Sequence, residues 1–90
     1  MRKIIEDSGN DTTDEWESNG NDWVCVGGTF DGANVTFKAS PDDGDTFVIV
    51  ATDAVLTSPG WYALRLPVGV KLHAVITEAG SSTSITIWIS

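Results

Sequence analysis

Val70-Lys71-Leu72-His73-Ala74-Val75-Ile76-Thr77-Glu78 sets one row of apolar side chains (Val70, Leu72, Ala74 and Ile76) against a second row of Lys71, His73, Val75 and Thr77. A period of two marks a strand with one buried face, because successive side chains of an extended chain point to opposite sides. A helix would instead need apolar residues three and four apart. The alternation recurs along the chain. In Thr83 to Ile89, Ile85, Ile87 and Ile89 share a face and Trp88 points the other way. In Asn34 to Ser40, Val35, Phe37 and Ala39 alternate with Asn34, Thr36 and Lys38, and in Trp61 to Leu66 the inward residues are Tyr62, Leu64 and Leu66. Trp23 to Phe30 reads as a further strand, with Gly27-Gly28 marking a bulge or a close approach. Thr46 to Thr52 is apolar on both faces, so one of the pairs Phe47/Ile49 and Val48/Val50 needs a second cover.

Turn chemistry separates these runs. Asp31-Gly32, Pro41-Asp42-Asp43-Gly44, Ser58-Pro59-Gly60, Pro67-Val68-Gly69 and Ala79-Gly80-Ser81-Ser82 recur about every ten residues, a spacing that belongs to a sandwich or barrel rather than to βαβ units. The expected fold is all-β: a small antiparallel Ig-like sandwich or partly open barrel of six to seven strands, the seventh being supplied near Trp16.

Ninety residues make one domain, and a hydrophobic content of 41% is ordinary for a folded one. The composition shifts near residue 22. Residues 1–22 carry Glu6, Asp7, Asp11, Asp14, Glu15, Glu17 and Asp22 against Arg2 and Lys3, and read as an extended acidic N-terminal arm with Trp16 as its large anchor. Residues 23–90 hold nearly all the remaining apolar material and read as the sandwich domain. The net charge of −8 argues against nucleic acid and against an anionic membrane surface as partners. Met1 to Ile5 opens like a secretory signal, but Glu6 and Asp7 end the apolar stretch, which points to synthesis and folding in a cytoplasm.

Chemistry-bearing residues are few. Cys25 is the one cysteine, which rules out an internal disulfide and a cysteine-based zinc site; within Trp23-Val24-Cys25-Val26 it reads as a small buried hydrophobe. His73 is the one histidine, and no nucleophile motif accompanies it, so a solvated surface histidine is expected and no enzyme activity. The aspartate-rich stretches at 7–15 and 42–45 lack the spacing of a calcium loop and read as turns. No metal and no cofactor are expected. Asn10-Asp11-Thr12 and Asn34-Val35-Thr36 match the glycosylation triplet by chance in a chain without a secretory signal.

Ser40-Pro41-Asp42-Asp43-Gly44-Asp45-Thr46-Phe47 resembles the Asp-box of sialidase propellers and other β-proteins. There the aspartate ties down backbone N–H groups, the glycine takes a positive φ and the aromatic packs beneath the turn. One copy predicts a stable hairpin and nothing about sugar cleavage.

From Gly27 onward the chain resembles a group of small virion proteins of tailed bacteriophages. The similarity runs through Gly-Gly-Thr-Phe-Asp-Gly-Ala-Asn-Val-Thr-Phe (27–37), Ser-Pro-Asp-Asp-Gly-Asp-Thr-Phe (40–47), Leu-Pro-Val-Gly-Val-Lys-Leu-His-Ala-Val-Ile (66–76) and Thr-Ser-Ile-Thr-Ile-Trp-Ile (83–89), about two-thirds of the chain. Phe47 stands where tryptophan is usual and His73 where arginine is usual, and residues 1–22 have no counterpart. The resemblance implies a head decoration or cement protein that binds the major capsid protein on the capsid exterior, working as a homo-oligomer or beside neighbouring copies. On that reading Trp16 and Trp23 anchor the arm, while Trp88, Phe47 and Ile49 supply apolar contact to the partner. The rival expectation is a receptor- or carbohydrate-binding β-module of a tail fibre, with Trp61 and Trp88 stacked on sugar rings.

Overall fold

The structure, a computed structural model, describes residues 1–90. The chain forms ten strands and no helix: β1 (Arg2–Asp7), β2 (Asp11–Thr12), β3 (Trp16–Glu17), β4 (Asp22–Thr29), β5 (Asn34–Ser40), β6 (Val48–Ile49), β7 (Val55–Leu56), β8 (Gly60–Leu64), β9 (Lys71–Thr77) and β10 (Ser84–Ile89). They make two antiparallel sheets, one in the order β1-β10-β4-β8, the other built on the β9–β5 pair with β2 and β3 against β9 and with β6 and β7 against β5. The all-β sandwich expected from the alternation is therefore the fold observed.

Alternation supplies the core directly. Val24, Val26, Leu64, Ile85, Ile87 and Ile89 come from the first sheet, and Val35, Phe37, Leu72, Ala74 and Ile76 from the second; all are buried in one cluster. Burying each of these side chains except Ala74 stabilises by about 1.5–3 kcal/mol, so the two inner faces hold most of the apolar driving force. Phe37 and Tyr62 stack across the two sheets with ring planes 8° apart, and the Tyr62 hydroxyl donates to Asp53 Oδ1 at 2.9 Å.

Residues 1–22 do not stand apart from this core. β1 pairs with β10 from Arg2↔Ile89 to Asp7↔Ile85, β2 and β3 both pair with β9, and Ile4, Ile5 and Trp16 pack on the cluster. The stretch read as an arm is the edge of both sheets. Its charged residues other than the buried Asp22 and the half-buried Asp7 are exposed, and its partners on β9 and β10 lie more than fifty residues away in sequence (Glu17↔Lys71 to Arg2↔Ile89), so local composition does not display it. Thr13 continues the pairing with β9 between β2 and β3: its N–H donates to the Ala74 carbonyl and its Oγ1 accepts from the Ala74 N–H. Asp22 is buried at the start of β4, where it accepts from the Ser18 hydroxyl and from the Asn19 N–H.

The run Thr46 to Thr52, expected as one strand, pairs only through Val48 and Ile49. Residues 48–56 follow β5 as a broken strand, with Lys38↔Ile49 and Ala39↔Val48 on one side of the break and Val35↔Leu56 and Thr36↔Val55 on the other. Across the break the Val50 N–H donates to the Phe37 carbonyl and the Phe37 N–H to the Ala54 carbonyl, each at 3.0 Å. The break satisfies the backbone while letting Ala54 reach the core.

Candidate binding face

The outer side of the four-stranded sheet collects tryptophans. Inward residues of β4 are Val24 and Val26 and of β10 are Ile85, Ile87 and Ile89, so Trp23, Cys25 and Trp88 fall on the outer side, joined by Trp61 and Ala63 of β8. The registers Lys3↔Trp88, Trp88↔Cys25 and Cys25↔Trp61 place these four residues in one row across all four strands, and Trp23↔Ala63 lies one row away on the same side. Trp61 is 63% exposed and Trp23 44%, while Trp88 is half-buried. Gly27 explains the difference: a Cβ placed there would lie 3.1 Å from the Trp88 ring, so the bare backbone is the seat on which that indole lies.

The remaining expected contact residues lie elsewhere. Trp16, 8% exposed, is in the core with its Nε1–H unpartnered, so it holds β3 to the sandwich and offers no outer surface. Ile49 and Val48 are exposed beside an open apolar groove of about 370 Å³ with Ala39, Pro41, Leu66 and Val70. Phe47 is half-buried and stacks on His73 of β9. The structure therefore brings Trp23 and Trp88 together, adds Trp61, and puts Phe47 and Ile49 on the other sheet. Strand parity, with Trp61 opposite in phase to Tyr62 and Leu64, is the sequence signal that assigns Trp61 to the tryptophan face.

The Asp-box turn has the geometry its sequence predicts. Asp42 Oδ1 accepts from the Thr46 N–H at 2.7 Å and from the Ser40 hydroxyl at 2.8 Å, and Ser40 Oγ accepts from the Gly44 N–H at 2.7 Å. Asp43 and Gly44 take φ values of 63° and 104°. Hydrogen bonds from Thr46, then Ser40, hold the Asp42 carboxyl below its usual range. His73, expected as a solvated residue, is instead covered by Phe47. Burial first, and then the Lys38 charge paired with it across β5 and β9, push the imidazole below its ordinary value, with Glu15 opposing. No group of three or more His, Cys, Asp or Glu side chains converges as a metal site.

Comparisons with protein-family models, with curated proteins and with solved structures give no match.

Proposed function

We propose that this chain is a non-enzymatic bacteriophage structural protein that decorates or cements the capsid exterior by binding the major capsid protein. The observation that carries the reading is the placement of Trp23, Trp61 and Trp88 on one side of a hydrogen-bonded sheet, where their positions are fixed before a partner arrives. Aromatic side chains held on a rigid frame lose little conformational entropy on docking, and tryptophan is enriched among the residues that dominate interface energies. The charge of −8 supports the same reading, since it keeps many copies apart in solution and speeds encounter with a basic surface.

The test is binding to purified phage heads stripped of accessory proteins, with cosedimentation of the wild-type chain and of a Trp23→Ser, Trp61→Ser, Trp88→Ser variant. Saturable binding by the wild type and its loss in the variant support the proposal; equal binding by both sinks the assignment of this face. The high exposure of Trp61 favours a second reading, a carbohydrate-binding module of a tail fibre with this indole as the stacking platform. Glycan binding without affinity for heads selects that reading.

A further inference from the structure

We infer that β8 is a dimerisation edge, at which a second copy of this chain adds its own β8 antiparallel and joins the two four-stranded sheets into one of eight. The inference is independent of the capsid reading and rests on which backbone groups β8 leaves open. The Trp23 N–H donates to Ser90 Oγ and the Trp23 carbonyl accepts from the Ser90 N–H, so both Trp23 groups face β10. Backbone groups alternate in direction along a strand, so those of Val24 face β8 and meet Tyr62, its register partner. It follows that Gly60, Tyr62 and Leu64 bond to β4, while the N–H and C=O groups of Trp61 and Ala63 point away from the sheet. β4 is the one strand paired with β8, and no turn, loop or side-chain hydrogen bond reaches the Trp61 or Ala63 backbone.

The two edges of this sheet are treated differently by the sequence. β1 carries Arg2, Lys3, Glu6 and Asp7 and a register irregularity between Lys3 and Ile5, all devices that discourage a further strand. β8 reads Gly60-Trp61-Tyr62-Ala63-Leu64, without a charge, a proline or a bulge. A row of open donors and acceptors on an uncharged strand is a template for another strand.

A second copy fits this edge because β8 is complementary to itself. Pairing about a two-fold axis at Tyr62 sets Trp61 opposite Ala63 of the other copy, and Ala63 opposite its Trp61. These are the outward-facing residues, so the four N–H groups and four C=O groups left open close into four hydrogen bonds. The pairing also matches sizes: each indole lies over an alanine, and beyond that alanine in the same row stands Trp23. Two strand spacings, about 9.6 Å, separate the Trp61 of one copy from the Trp23 of the other, within reach of two indoles leaning over the alanine between them. The two most exposed tryptophans thereby cover one flank of each other and leave the outer face of the joined sheet open to a partner. Because residues 60–64 are uncharged, two chains of charge −8 meet there without like charges facing one another.

The test is sedimentation velocity of the purified full chain alone, with no particle or glycan present. The wild type is expected at twice the 9.6 kDa chain mass. Trp61→Lys, which puts a charge on the edge, and Ala63→Pro, which removes an outward donor without touching the β4 ladder, are expected at the monomer mass. Val48→Lys, on the other apolar surface, is expected to remain dimeric. Circular dichroism identifies a variant that fails to fold. In that event hydrogen exchange of the wild type decides: the Trp61 and Ala63 amides are protected at high concentration and lose that protection on dilution. A wild-type monomer at every concentration, a folded Trp61→Lys dimer, or Trp61 and Ala63 amides that exchange fast throughout overturns the inference.

Discussion

The Phe47 ring lies flat on the His73 imidazole, with centroids 3.8 Å apart and planes 14° from parallel. The aromatic that closes the Asp-box turn thus packs on the histidine of β9 and joins the turn to the second sheet. The turn, held by local hydrogen bonds and by the ion pair of Asp43 with Lys71 at 3.5 Å, gains a second tertiary anchor on β9.

This contact has a pH consequence. His73 titrates below its ordinary value of 6.5 because burial, and then Lys38, disfavour the imidazolium. On acidification the unfolded chain takes up this proton before the folded one does. Stability is therefore full above pH 6.5, declines as pH falls below it, and levels off once the folded state is also protonated. Urea unfolding of wild type and His73→Gln across this window should show the decline in the first and not in the second.

A separate loss belongs to Asp42, whose carboxyl is held below its ordinary value of 3.8 by Thr46 and Ser40. Here the folded state resists protonation, so the contribution is present above pH 3.8 and disappears as pH falls further. Asp42→Asn keeps an acceptor oxygen for Thr46 but removes the charge, and should shrink this lower decline to the part that belongs to Asp7, whose carboxyl is held low by Asp11 and the Gly9 N–H, while leaving the one below pH 6.5 intact. Unfolding midpoints measured from pH 7 to pH 2 distinguish the two.

Gly28 sits at φ +105°, and a Cβ there would lie 1.9 Å from the Ser84 carbonyl oxygen, a backbone atom of the adjacent strand. Relief requires β4 and β10 to separate. Gly28→Ala should cost about 3 kcal/mol, the upper end of ordinary single substitutions, whereas Gly60→Ala, with nothing within 4 Å, should change stability by about 0.5 kcal/mol or less. Equal denaturation midpoints for the two variants would contradict this account.

The strands that alternate cleanly, β4, β5, β9 and β10, were legible because each shows one polar and one apolar row to a local reading. The turn at Ser40 to Phe47 was legible because its chemistry is local too. What the sequence conceals depends on distant pairing. Nothing near Arg2 to Asp7 announces β10 as its partner, and the break at Ala51 to Ala54 follows from which residues β5 can satisfy. The tryptophan face lies between these extremes: parity places each indole outward, but only the registers put Trp88, Cys25 and Trp61 in one row.

Trp16 combines a buried ring with a buried Nε1–H that has no partner. The ring stabilises and the stranded donor costs, so the two parts separate by mutation. Trp16→Phe keeps most of the apolar body and removes the donor, and should alter stability by about 1 kcal/mol or less. Trp16→Ala leaves a void at the edge of the core and should cost about 3–5 kcal/mol. Urea denaturation of both variants checks the contrast, and a Phe variant as unstable as the Ala variant would show the indole N–H to be favourably placed.

Removal of residues 1–9 tests the assignment of the N-terminal stretch to the sandwich. β1 covers β10 from Ile85 to Ile89, and Ile4 and Ile5 pack on the core. Without them the Ser84–Ile89 strand, Ser-Ile-Thr-Ile-Trp-Ile, becomes an uncharged edge rich in β-branched side chains, the composition most prone to pair with other chains. The shortened chain should unfold at lower urea and should aggregate on concentration, measured by light scattering beside the full chain. A detachable acidic arm predicts the reverse, with the denaturation midpoint preserved and solubility reduced only as far as the lost charge dictates. Glu6 and Asp7 leave with Arg2 and Lys3, so the deletion barely alters net charge, and any aggregation then reports the bared β10 edge rather than weaker repulsion.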